Sequence, residues 1–341
     1  MIENNQSLSD FVTLLLPAIE MELERALVPL QDTEYSGLRQ MFAYHLGWEG
    51  EGAGAAARGK RIRPLLVLLT TSAAGGNWEQ ALPAAAAVEL VHNFSLIHDD
   101  IEDNSPLRRG RPTVWKKWGI AQAINAGDAM FTLAHLSILR LEGVPPETNL
   151  HAARLLQQTC FHLTQGQYLD ISFETTGGLS LESYWTMVRG KTAALLSACN
   201  ELGALVAGAT PPQRESFRDF GQALGLAFQA QDDLLGIWGD SALTGKSAES
   251  DLLEGKKSLP VLYGLSKKAD FAKRWKKGQI LEEEVPGLAA QLKTEGAYEF
   301  TQAAVQKWTD QALQSLERAH PRGDAGLALY TLAEKLLSRK S

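Results

Sequence analysis

The chain reads as an all-α helical bundle. Apolar residues fall at intervals of three and four along most of its length, as on one face of a helix. Alanine and leucine dominate these stretches, and no run shows the sustained alternation of β-branched residues expected of a strand. With 341 residues and 45% hydrophobic content the chain can bury a large core, and its length fits one large domain or two ordinary ones. We read residues 1–341 as a single domain.

Residues 9–27 place Phe11, Leu15, Ile19, Leu23 and Leu27 four apart, which predicts an amphipathic helix that Pro17 should kink or split. Residues 35–45 predict a second helix, and residues 47–59 a glycine- and alanine-rich connection. Residues 54–60 match the first seven positions of a phosphate-binding P-loop. That motif fails twice: Arg61 stands where Ser or Thr would be needed, and residues 48–53 are not a buried strand. Lys60, Arg61 and Arg63 read instead as a basic loop entering a helix over residues 64–74, with proline suited to its first turn. Taken alone, these cations would be a solvated surface.

Residues 83–103 predict a long helix whose stripe is Leu90, Phe94, Ile97 and Ile101. Asp99 and Asp103, four apart, share the opposite face, and His92 joins them. Two carboxylates one turn apart repel, and burying each unpaired would cost several kcal/mol, so a divalent cation is the simplest resolution. The helix must stop at Asn104-Ser105-Pro106, after which Leu107-Arg108-Arg109-Gly110 forms a short basic loop. Acids suited to a hard cation, followed by forked guanidinium donors, fit an anion bridged by metal, such as diphosphate. Surface salt bridges at a helix end are the plainer reading of this cluster by itself.

Residues 119–142, 147–173 and 181–207 continue as long helical segments. In the last of them Gly190 interrupts the pattern at about 1 kcal/mol relative to alanine, which predicts a bend or a close approach. Lys191 and Thr192 beside it could present an ammonium and a hydroxyl to a ligand. Residues 214–235 carry a stripe that includes Phe217, Leu224, Phe228 and Leu235, with Gln229, Asp232 and Asp233 off it. Lys246, Lys256 and Lys257 follow, so the order of acid pair and then cations occurs twice.

Residues 259–265, 286–292, 298–316 and 325–337 predict packing helices without chemistry. Residues 267–277 are basic, with Phe271 and Trp275 one turn apart. A weak contact with an anionic membrane surface fits this stretch, but a solvated face with two aromatic anchors is preferred.

A formal charge of −7 argues against a nucleic-acid binder. Cys160 and Cys199 are too few for a disulfide framework and point to reduced thiols in a cytoplasmic setting. The N-terminal residues lack the basic start and apolar run of a signal peptide, and nothing reaches the ~18 consecutive apolar residues of a membrane span.

With both acidic motifs in view, the chain resembles the trans-isoprenyl diphosphate synthases, the polyprenyl synthetase family, over about residues 59–260. The resemblance rests on Gly-Lys-Arg-Ile-Arg-Pro at 59–64, Ser-Leu-Ile-His-Asp-Asp-Ile-Glu-Asp at 95–103 and Leu-Arg-Arg-Gly at 107–110. Gly-Lys-Thr at 190–192, Phe-Gln-Ala-Gln-Asp-Asp at 228–233 and Thr-Gly-Lys at 244–246 complete it, in the family's order.

The resemblance implies an antiparallel helical bundle around a central cavity, the isoprenoid synthase type I fold, in a homodimer. It implies a head-to-tail condensation of isopentenyl diphosphate with an allylic prenyl diphosphate, with three Mg²⁺ ions. Asp99 and Asp103 would hold two of the ions and Asp232 the third. Arg108, Lys191, Thr192, Gln229, Lys246 and Lys256 would contact the allylic diphosphate, and Lys60, Arg63, His92 and Arg109 would form the isopentenyl diphosphate pocket. Asp99, Asp103, Arg108, Lys191, Asp232 and Lys246 would drive departure of the diphosphate.

The second motif departs from the family's Asp-Asp-x-x-Asp, because Gly236 stands at the third acid and Asp240 follows a turn later. Small Ser95 four residues before Asp99 and bulky Phe94 five before it are similar to enzymes making C20 geranylgeranyl diphosphate, with C15 farnesyl diphosphate the alternative. On an ideal helix Phe94 is about 140° around from Asp99, so its ring could instead face core. A class I terpene cyclase has no need of the second diphosphate pocket that Lys60, Arg63 and Arg109 suggest. An inactive partner subunit would be expected to have lost metal ligands, and both Asp pairs are present.

Overall fold

The computed structural model describes residues 6–239 and 250–337. Its long helices are Leu8–Ala26, Ile62–Ala73, Leu82–Glu102, Ile120–Ile138, Pro146–Thr175, Ala194–Val206, Pro211–Trp238, Ala297–Arg318 and Gly323–Leu337. The all-α class read from the periodicity is the one observed. Among the described residues no helix is long and apolar enough to cross a membrane. The described residues group into two compact units: those within 1–160, 198–215 and 320–329 form the first, and the remainder the second.

In the first unit, Pro17 does not split the opening helix, which runs unbroken from Leu8 to Ala26. A proline inside a helix costs about 3 kcal/mol, whereas each fully buried large apolar side chain returns about 1.5–3 kcal/mol. Phe11, Leu15, Ile19 and Leu23 are all buried, and together they outweigh the lost ladder bond. The Ile62–Ala73 helix starts two residues before Pro64, behind Arg61 in the left-handed region at φ 46°.

The Leu82–Glu102 helix is the spine of this unit, buried from Pro83 through Val91. The Ile120–Ile138 helix runs antiparallel beside it: Ser137 donates to the Pro83 carbonyl at 3.2 Å, Phe131 meets Phe94, and His98 lies 3.4 Å from the Ile124 carbonyl. The basic loop is a small hairpin, in which Leu107–Arg108 pairs with Arg111–Pro112. Alternation over four or more residues could not have revealed a ladder of two. Its signal is the turn, since Arg109 at φ 53° and Gly110 at φ 75° take the two left-handed positions of a tight hairpin.

In the second unit Tyr184, Val188, Leu226 and Leu259 share one core cluster, and Phe271, Val261 and Leu292 another. Phe271 is fully buried and Trp275 packs against the same cluster, so both aromatics of the basic 267–277 stretch are anchors. The interruption at Gly190 is a π-helical turn, Arg189–Ala193, between Leu181–Val188 and Ala194–Val206. Close approach is its cause: a Cβ at Gly190 would sit 2.8 Å from the Gly166 Cα and 2.8 Å from the His162 carbonyl oxygen.

Candidate active site

The first unit gathers most of the sequence-predicted cations and acids at the end of the Leu82–Glu102 helix. Asp99 is half-buried and Asp103 exposed, and the Asp103 amide closes the last turn on the Asp99 carbonyl at 2.8 Å. Asp100 points the other way. It is 1% exposed and its Oδ1 accepts from Arg108 Nε at 2.8 Å, while its buried Oδ2 has no hydrogen-bond partner. Burial pushes this carboxyl up to about 6, against the pull of Arg108. The hairpin thus returns Arg108 to the acidic helix, with the inner acid holding it.

Arg109, one residue on, donates from Nη1 to the Ala57 carbonyl at 2.7 Å. Its guanidinium lies against Gly59, whose φ of 75° favours glycine in that connection. Lys60 is exposed and Arg63 half-buried, with the Arg63 Nε enclosed and unpartnered. Burial, with Arg63 and Arg109 nearby, holds His92 well below the ordinary histidine range. It is therefore a neutral group among cations.

Two arginines that the sequence places among these are structural. Arg61 is buried and tied to Glu20 at 2.8 Å, to Glu89 at 2.9 Å and to the Leu46 carbonyl at 3.0 Å. Arg111 donates to the Tyr44, Glu49 and Glu51 carbonyls and lies 4.0 Å over the Tyr44 ring. In return, the sequence reading missed His45. It lines a pocket with Asp100, Arg108 and Arg109, and its buried Nε2 has no hydrogen-bond partner. Burial and then Arg108 and Arg109 push its imidazole down to about 3.

Phe94 is half-buried, its ring edge-on to Phe131 at 5.0 Å between centroids and to His98 at 5.8 Å. It is not among the buried core residues, and it leans on the neighbouring helix beside the acids. Ser95 is half-buried, and its Oγ donates to the His92 carbonyl one turn back in the same helix at 2.8 Å.

The second unit repeats the division of labour within its Asp pair. Asp232 is half-buried, whereas Asp233 is 1% exposed and fully engaged. Asp233 accepts from the Tyr184 hydroxyl at 2.7 Å, the Leu259 amide at 2.8 Å and Gln229 Nε2 at 2.9 Å. Gln229 in turn accepts from Thr192 Oγ1 at 2.9 Å, so two predicted contacts, Thr192 and Gln229, form one relay ending on the inner acid. Lys191 pairs with Asp170, an acid the sequence reading did not single out. Its signal was Gly166 one turn earlier, a second glycine inside a helix.

Lys256 lies 3.9 Å from Asp251. Loss of water pulls its ammonium down, but Asp233, Asp251 and Asp232 together hold it above the ordinary lysine value. Lys257 instead donates to the Phe173, Glu174 and Thr176 carbonyls and caps a helix end. Lys246 and Asp240 lie outside the described residues.

Among the described residues no three His, Cys, Asp or Glu side chains form a closed metal-binding group. The open set of Asp99 and Asp103 nevertheless suits Mg²⁺, which is typically held by one or two carboxylates and completed by water and substrate phosphate oxygens.

An all-α scaffold with two Asp pairs, each with one outer and one buried acid and each trailed by cations, defines the class of the trans-prenyl diphosphate synthases. A family model described as polyprenyl synthetase matches residues 53–288, and the chain belongs to that family. It is 37% identical over 314 residues to (2E,6E)-farnesyl diphosphate synthase of Mycobacterium tuberculosis, covering 89% of this chain and 87% of that one. It is 44% identical over 239 residues to the geranylgeranyl diphosphate synthase of the same organism, covering 69% and 67%. A solved polyprenyl synthetase from Streptomyces coelicolor A3(2) superimposes with a TM-score of 0.84 at 36% identity, covering 96% of this chain and 99% of that one.

Proposed function

We propose that this chain condenses isopentenyl diphosphate with an allylic diphosphate in a Mg²⁺-dependent, head-to-tail reaction whose product is all-trans geranylgeranyl diphosphate. The observation that carries the reading is the matched split of the two Asp pairs. Asp100 and Asp233 are buried and hydrogen-bonded within the protein, and Asp99 and Asp232 are the partly exposed members. Asp99, Asp103 and Asp232 are the carboxylates that would hold three Mg²⁺ ions.

Bound Mg²⁺ would neutralise the charge that develops on the departing diphosphate. Arg108, oriented by Asp100, and Lys191, oriented by Asp170, add cationic donors for its oxygens, with Lys246 and Lys256. Thr192 and Gln229 complete the allylic contacts. Removing one such donor typically costs about 10²–10³ in rate. Lys60, Arg63, Arg109 and neutral His92 bind the diphosphate of the second substrate. As the allylic carbon–oxygen bond breaks, the double bond of isopentenyl diphosphate attacks the allylic carbon, and the surplus proton passes to the released diphosphate. No side chain is assigned as base.

Phe94 backed by Phe131 supports the C20 assignment, since two rings packed edge-to-face about one turn below Asp99 would put bulk where a growing tail would extend. Farnesyl diphosphate is the second reading, favoured by the relative that bears that name. We read the protein as a cytoplasmic homodimer. Cys160 and Cys199 are buried and form no disulfide, as in a reducing compartment. Purified protein incubated with labelled isopentenyl diphosphate, each allylic primer and Mg²⁺ should yield geranylgeraniol after phosphatase treatment. Failure to consume isopentenyl diphosphate with any primer would refute the reading.

A further inference from the structure

Arg61 is bracketed by two acids. Glu89, on the Leu82–Glu102 helix three residues before His92, is 3% exposed, and its Oε1 accepts from Arg61 Nη1 at 2.9 Å. Glu20, on the Leu8–Ala26 helix, meets the other edge of the same guanidinium at Nε, 2.8 Å away. The further donors to the pair are neutral: Asn93 Nδ2 to Glu89 at 2.9 Å and Trp48 Nε1 to Glu20. Two carboxylates on one guanidinium leave one negative charge over. Arg63 and Arg109 feel it. Burial pulls both guanidiniums below the ordinary arginine value, and the Glu89 carboxylate opposes that pull in each.

We infer that Glu89 is an internal counter-ion of the isopentenyl diphosphate pocket, which loosens its grip so that the diphosphate it captures can leave on the product. In the condensation the allylic carbon loses its own diphosphate, so the product carries the one that arrived on isopentenyl diphosphate. The cations that capture the substrate must therefore also release the product, and gripping both equally hard lowers KM without raising kcat. Glu89 acts through Arg61, Arg63 and Arg109, as a positioning residue. An acid present only to brace Arg61 would weaken anion binding when removed, because the loop bearing Lys60 and Arg63 would slacken. Removing a counter-ion does the reverse, leaving the pocket more positive and the anion held harder. This inference rests on the reading of Lys60, Arg63 and Arg109 as the isopentenyl diphosphate pocket.

The sign of the change in affinity is the test. Wild type, E89Q, E89D and E20Q are compared by melting temperature, by calorimetric titration with isopentenyl diphosphate in EDTA, and by steady-state kinetics with Mg²⁺ and an allylic primer. Glu89→Gln keeps an oxygen for Arg61 and Asn93, and should tighten isopentenyl diphosphate about tenfold, or about 1.4 kcal/mol. The isopentenyl KM and kcat should fall together, and the allylic KM should stay within about twofold. E89D keeps the charge and should bind within about twofold of wild type. Glu20 is partly exposed, so E20Q keeps the test open if E89Q does not fold, and it should tighten binding about threefold. Unchanged or weaker binding in E89Q, or in E20Q where E89Q is unfolded, overturns the inference. Tightening in E89D equal to that in E89Q also overturns it. Wild type that fails to bind isopentenyl diphosphate would instead sink the functional reading of the pocket.

Discussion

The Tyr184 hydroxyl donates to Asp233 Oδ2 at 2.7 Å with both residues buried, so the second acid of the second pair is a structural keystone. Burial pushes the Asp233 carboxyl up, against Lys256 and the hydrogen bonds that favour its ionised form. Tyr184→Phe removes one donor from a buried carboxylate and should lower unfolding free energy by about 1–3 kcal/mol, read from the urea midpoint. An unchanged midpoint would show that the Leu259 amide and Gln229 suffice.

The inner and outer acids should separate experimentally. Asp99→Asn and Asp232→Asn are expected to lower turnover by about 10²-fold or more while leaving the melting temperature within a degree or two. Asp233→Ala should instead destabilise the fold, because it leaves the buried Tyr184 hydroxyl and Leu259 amide without an acceptor, whereas Asp100→Ala should release Arg108 from its place. Chelation with EDTA should abolish wild-type turnover and added Mg²⁺ restore it. Persistent activity in EDTA would contradict the metal assignment.

Neighbouring arginines of the hairpin should fail differently. Arg109→Ala should raise the KM for isopentenyl diphosphate by about tenfold or more with little change in stability. Arg111→Ala removes bonds to three carbonyls and a ring contact, and should destabilise by about 3 kcal/mol. Denaturation curves beside initial rates distinguish the two.

His45 gives the fold a pH dependence of definite sign. The folded group titrates at about 3 against a reference of 6.5, so between these values the unfolded chain binds more protons. Stability contributed by neutral His45 is complete above the reference value and declines as pH falls through this window. Between pH 7.5 and 5, wild type should lose more unfolding free energy than His45→Gln. Parallel curves would place the dependence elsewhere.

If the ring pair sets product length, Phe94→Ala and Phe131→Ala should each shift the product beyond C20, and together they should shift it further. Chromatography of the dephosphorylated alcohols reads this directly. An unchanged distribution in Phe131→Ala would limit the effect to Phe94.

Much of this was legible in the sequence because helical periodicity and the Asp pairs are local patterns. Asp99 and Asp232 could be separated from the apolar stripes by angle alone. What spacing could not reveal was how cations so close in sequence divide: Arg61 and Arg111 have their donors spent within the protein, whereas Arg108 and Arg109 are only partly engaged. Arg111 lines the same pocket as Arg108 and Arg109, so the division lies in donors already spent on Glu20, Glu89 and backbone carbonyls brought in by folding. Asp170 was hidden for the same reason, since its partner Lys191 lies 21 residues away. His45 carries no spacing signal, since its role arises from the arginines that surround it.

Gly166 and Gly190 touch backbone to backbone, and Lys191 and Asp170 project from either side of that seam. A methyl group on either glycine would act as a wedge, prising the two main chains apart and carrying the ammonium off its carboxylate. The aim of the Lys191 ammonium is thus encoded in two positions that bear no side chain at all. A survey confined to charged residues would overlook both, although a single alanine there should misalign the site as surely as deleting the lysine.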